Sequence, residues 1–84
     1  MNKEEKGFNF GLDFRIDVGQ NVRERRQALG FTTEKLARFT GLTNTKVVLF
    51  EGGNVNEDVW QQVALALLDT LERLEKRNPF KLAV

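Results

Sequence analysis

The stretch from Gly30 to Gly53, GFTTEKLARFTGLTNTKVVLFEGG, decides how this chain folds. Thr32 and Thr43 each stand just ahead of a run suited to a helix, where a threonine hydroxyl can accept one of the first orphan N–H groups. Behind Thr32, Leu36 and Ala37 turn inward, and Gly41 ends the run. Behind Thr43, Val47 stands four residues into the next run and can staple to Leu42 in front of the cap. The spacing predicts two short helices, 33–40 and 44–51, joined by a turn of a few residues. A steep crossing over so short a turn needs a small side chain where the helices meet, hence Ala37. It needs a residue that accepts positive φ, hence Gly41, and a branched anchor facing back, hence Val47.

Upstream, Val18, Val22, Arg26 and Leu29 recur at steps of four, four and three, so they share one face of a preceding helix that stops at Gly30. An arginine therefore sits on an apolar stripe, and burying its charge alone would cost several kcal/mol. Downstream, Gly52, Gly53 and Asn54 break the chain, and Asn56 caps a fourth helix whose Glu57 and Asp58 suit the positive end of its dipole. Val59, Trp60, Val63, Ala64, Leu67 and Leu68 give that helix a wide apolar stripe, which reads as core or dimer interface. A fifth helix is expected from about Asp69 to Arg77, with Leu71 and Leu74 on one side and a Glu72/Lys76 pair. Pro79 forbids its continuation. Phe39 looks exposed from its neighbours.

The two ends carry a different period. Phe8, Phe10, Leu12, Phe14, Ile16 and Val18 alternate strictly with polar residues or glycine, the pattern of a strand with one buried face, and Phe80, Leu82 and Val84 repeat it briefly. The expected fold is mainly α: a five-helix helix-turn-helix domain over 18–77, an N-terminal arm over 1–17 with a β-strand, and a tail over 78–84 with a candidate short strand. A single strand cannot leave its N–H and C=O groups unpaired in water. The favoured solution is a two-fold dimer in which terminal strands pair across the axis and cover the fourth and fifth helices. The alternative is an arm that orders only on a partner, since Gly7 and Gly11 weaken the strand.

Composition bounds the chemistry. Eighty-four residues suit one domain, and 40% hydrophobic with 30% charged residues is ordinary for a globular chain. Without cysteine or histidine there is no disulfide, no thiolate or imidazole metal site and no neutral-pH proton shuttle. No enzyme, cofactor or metal is expected. The carboxylate pairs Glu57/Asp58 and Asp69/Glu72 sit at expected helix starts, where acids serve the dipole. The longest uncharged stretch, Val59 to Leu68, is about half the roughly 20 residues of a membrane span, and the start lacks a basic region followed by an apolar block, so a cytoplasmic location is expected. Net charge is +1, but Val18 to Asn56 holds six basic against three acidic residues, a local +3. That bias is weak by itself.

Taken together, Val22 through Arg26, the run Gly30-Phe31-Thr32-Thr33-Glu34-Lys35-Leu36-Ala37, Gly41-Leu42-Thr43, then Val47, Phe50, Glu51 and Gly53 resemble the helix-turn-helix domains of the phage repressor and Cro type. That family includes small antitoxins and restriction-modification controllers, and the resemblance covers roughly Val18 to Leu74. It implies a dimer that sets the N-terminus of the third helix into the major groove of double-stranded DNA, with half-sites about 34 Å apart. The base-reading positions fall on Asn44, Thr45, Lys46 and Leu49, while Thr32 and Thr33 fall where the second helix meets phosphate or an outer base. Asn44 suits adenine, Lys46 suits guanine or phosphate, and Thr45 suits a base edge or a thymine methyl. Thr33 departs from the glutamine often found there, and Leu49, where a polar residue is usual, could read a thymine methyl or simply pack. Glu51 falls where the family places a partner for Arg26. For Arg23, Arg25, Lys35 and Arg38 a solvated face and a phosphate contact are equally open, with Arg38 kept among the DNA-binding candidates.

Two functions follow from the resemblance. One is a sequence-specific transcriptional regulator, a repressor acting as a dimer on a palindromic operator. The other is an antitoxin that binds a toxin protein and autoregulates its operon, a role the alternating end segments would suit by strand addition.

Overall fold

The computed structural model describes residues 11–77, which form four α-helices: α1 (Leu12–Ala28), α2 (Thr33–Thr40), α3 (Asn44–Glu51) and α4 (Glu57–Lys76). Local chemistry sets three of the starts. Thr32 Oγ1 accepts from the Lys35 N–H, Thr43 Oγ1 from the Lys46 N–H, each at 3.1 Å, and Asn56 Oδ1 from the Asp58 N–H at 3.0 Å. Gly41 closes α2 at φ +79°, where its N–H and that of Leu42 both donate to the Ala37 carbonyl at 2.8 and 2.9 Å.

The core lies where the four helices converge. Val22 of α1, Leu36 and Ala37 of α2, Val47 and Phe50 of α3, and Trp60, Val63, Ala64, Leu67 and Leu71 of α4 are buried together with Val55 of the connecting loop. The Phe50 ring stacks on Trp60 with centroids 5.5 Å apart, so the Trp60 stripe serves the core. Gly19 is buried where α1 crosses the end of α3. A Cβ there would strike the carbonyl oxygen of Phe50 and lie 2.7 Å from that of Glu51, so the close crossing requires glycine.

Three expectations are corrected. The N-terminal strand is not formed over Leu12 to Val18, because those residues are the opening turns of α1, which starts six residues ahead of the expected Val18. The alternating pattern hides the reason: Leu12 and Ile16, and likewise Phe14, Val18 and Val22, also lie four apart. A helix satisfies its backbone internally, whereas a strand here would need a partner. Phe14 reaches Trp60 at 5.8 Å between ring centroids, and Val18 packs on the core. Leu12, Phe14 and Ile16 nevertheless remain about half exposed. The fourth and fifth helices are also one, since no glycine, proline or cap interrupts α4 at Asp69, and Asp69–Arg73 and Glu72–Lys76 pairs at 3.2 and 3.4 Å support its second half. Among the described residues the helices thus number four rather than the expected five. Residues 1–10 and 78–84, with the rest of the N-terminal strand and the C-terminal strand, lie outside the described residues.

Candidate nucleic-acid interface

The tight turn between α2 and α3 brings the first residues of the two helices together. Thr33 Oγ1 donates to Asn44 Oδ1 at 2.6 Å, although eleven residues separate them. That bond holds the Asn44 amide plane in place. It occupies one lone pair of the carbonyl oxygen and leaves both amide N–H groups and the second lone pair available. Asn44 and Thr45 are exposed, Lys46 is half-buried and Thr32 is exposed while capping α2. The open face of α3 continues along Val48 and Leu49, which are 49% and 40% exposed, so Leu49 stands at the surface rather than in the core. Arg38 is exposed near the end of α2, away from the Thr33–Asn44 pair in the chain.

A groove of about 300 Å³ runs beside this pair, lined by Arg23, Arg26, Thr33, Val48, Glu51 and Gly52. Sequence reasoning left Val48 unassigned and Arg23 undecided. The i, i+4 spacing of Asn44 and Val48 was the available signal for the first. For Arg23 the signal is absent, since only the crossing of α1 over α3 brings it beside Thr33.

Two of the lining residues, Arg26 and Glu51, form a buried ion pair. Arg26 Nε and Nη2 donate to the two Glu51 oxygens at 2.7 and 3.0 Å, and Nη1 donates to the Phe31 carbonyl at 2.7 Å. The side chains are only 10% and 7% exposed, so the charge on the apolar stripe of α1 is balanced at the end of α3. Arg25, in contrast, is engaged with α4. Its guanidinium makes two hydrogen bonds to Glu75 on α4, at 2.8 and 2.7 Å. The Glu75 hydrogen bond raises the Arg25 pKa, and the Arg25 hydrogen bond holds the Glu75 carboxyl below its ordinary value. Lys35 also has a partner, with its ammonium 5.1 Å from the centroid of the Phe31 ring.

The arrangement can present donors and acceptors from two capped helix starts, with Arg23, Arg38 and Lys46 as cations. Among the described residues no cluster of three or more Asp or Glu could hold a metal, and no helix is long and apolar enough to cross a membrane. Comparison with protein-family models, with curated proteins and with solved structures finds no match to this chain.

Proposed function

We propose that the protein is a sequence-specific regulator of transcription that binds double-stranded DNA as a dimer, in the manner of the repressor and Cro-type domains its sequence resembles. The observation that supports this reading best is the Thr33–Asn44 bond across a turn whose two helices both start at exposed, threonine-capped ends. A base-reading amide must be held before it can discriminate, and Thr33 holds it. In this reading Asn44 and Thr45 meet base edges, Leu49 and Val48 meet thymine methyls, and Arg23, Lys46, Thr32 and Arg38 meet phosphates. A dimer would set two such faces about one helical turn apart on a palindrome.

A second reading is an antitoxin that binds a toxin and autoregulates its operon. Its support is the half-exposed row of Leu12, Phe14 and Ile16 on the first turns of α1, apolar surface that a protein partner would cover.

Selection from a random duplex pool tests the DNA reading. Enrichment of a two-fold symmetric sequence that Asn44→Ala fails to enrich is the expected result. A pool that stays random with the wild-type chain overturns it.

A further inference from the structure

On the side of the molecule served by α2 and α4, a second groove of about 230 Å³ is lined by Phe39, Thr70, Arg73, Leu74, Lys76 and Arg77. None of these residues belongs to α3 or to the DNA-binding candidates. Phe39 is 50% exposed, yet it is fixed: its ring stacks on Phe31 with centroids 5.5 Å apart and planes 12° from parallel. An exposed aromatic held rigid in a groove is a ready anchor site, because little side-chain freedom remains to be lost on binding.

The lining carries three cations and no carboxylate. Arg73 and Lys76 pair with Asp69 and Glu72, but those pairs are more than 60% exposed on every side chain. Exposed pairs are weakly held, so an incoming carboxylate can exchange with them. Among the described residues no carboxylate is bonded to Arg77. The volume falls short of the roughly 300–1,000 Å³ of a small-molecule site and suits one large apolar side chain. Phe39 and Leu74 give its lining an apolar part, and Arg73, Lys76 and Arg77 give it a cationic one.

From this chemistry we propose that the groove between Phe39 and the C-terminal end of α4 docks an acidic peptide segment of a partner protein, one apolar side chain entering between Phe39 and Leu74 while flanking carboxylates meet Arg73, Lys76 and Arg77. The site stands independently of the DNA reading, since the two share no residue. A phosphate backbone fits it less well, because Phe39 and Leu74 contribute apolar surface to the lining and two of the three cations already pair along their own helix with Asp69 and Glu72.

The test is titration of the isotope-labelled full chain, followed by amide NMR shifts. One short synthetic peptide has a central leucine between glutamates, and a control peptide has lysines in their place. Saturable shifts centred on Phe39, Thr70, Leu74 and Arg77 are expected, with the glutamate peptide binding at least about tenfold tighter than the lysine peptide. Phe39→Ala and, separately, the surface change Arg77→Glu should each weaken it by about tenfold while the remaining amide spectrum stays dispersed. Absence of saturation, equal binding of the two peptides, or indifference of the affinity to Arg77→Glu overturns the proposal. So does a single-stranded oligothymidine that shifts the same amides with higher affinity, which would assign the groove to nucleic acid.

Discussion

Arg25 and Glu75 join the second half of α1 to the last turn of α4 through two parallel hydrogen bonds, Nε to Oε2 at 2.8 Å and Nη2 to Oε1 at 2.7 Å. The fork closes the two longest helices of the domain on each other. Its hydrogen bonds lower the Glu75 pKa, so the pair stabilises the fold at pH values above the carboxyl's unfolded pKa. That contribution is lost as pH falls through the lower, folded value. With side chains about one-third exposed, the pair is worth about 0.5–1 kcal/mol. Urea unfolding should show Glu75→Gln less stable than wild type by that amount near neutrality, with the difference shrinking in strong acid. An equal difference at both ends of the range would mean that the charge is not responsible.

Arg26 and Glu51 are buried far more deeply, and the loss of one partner leaves the other charged in the interior. Arg26→Met or Glu51→Gln should each cost on the order of 3 kcal/mol. In the arginine variant the Phe31 carbonyl also loses its donor. The check is the thermal midpoint of each variant; an unchanged midpoint in both would reduce the pair to decoration.

Gly19→Ala reverses the usual propensity rule. In an open helix interior alanine is favoured over glycine by about 1 kcal/mol. Here the added methyl meets the backbone carbonyls of Phe50 and Glu51, which cannot swing aside as a side chain would. A net loss of about 1–3 kcal/mol is expected, through displacement of α1 from α3. Circular dichroism melting measures it, and a stabilised variant would show that the crossing has room for a methyl group.

DNA recognition, if it runs through α3, depends on the Thr33–Asn44 pair as a unit. Asn44→Ala should cost about 1–3 kcal/mol on a selected duplex and relax base preference at one position. Thr33→Val removes the hydroxyl that holds Asn44 Oδ1 and should relax the same position with a smaller loss. Lys46→Ala should instead reduce the salt dependence of binding by about one unit of slope if Lys46 meets phosphate. Gel shifts over a series of salt concentrations separate the three. Undiminished affinity and unchanged base preference in both Asn44→Ala and Thr33→Val would move the binding face elsewhere.

The helical signals around the central turn were legible in the sequence because they act over three or four residues. Thr32, Thr43 and Asn56 cap neighbours that the chain itself supplies, and Gly41 takes a left-handed conformation that its own position demands. Arg26 on an apolar stripe likewise announced that a counter-charge had to be close. The alternation from Phe8 to Val18 was ambiguous in principle. Leu12, Phe14, Ile16 and Val18 fit period two and also fall in pairs four apart, and only what they pack against chooses between strand and helix. Trp60 beneath Phe14, and the end of α3 against Gly19, chose helix. The same holds for Arg25 with Glu75 and for Thr33 with Asn44. Pairs that lie fifty and eleven residues apart have no local signature, because their geometry exists only after α1, α2, α3 and α4 have met around Phe50 and Trp60.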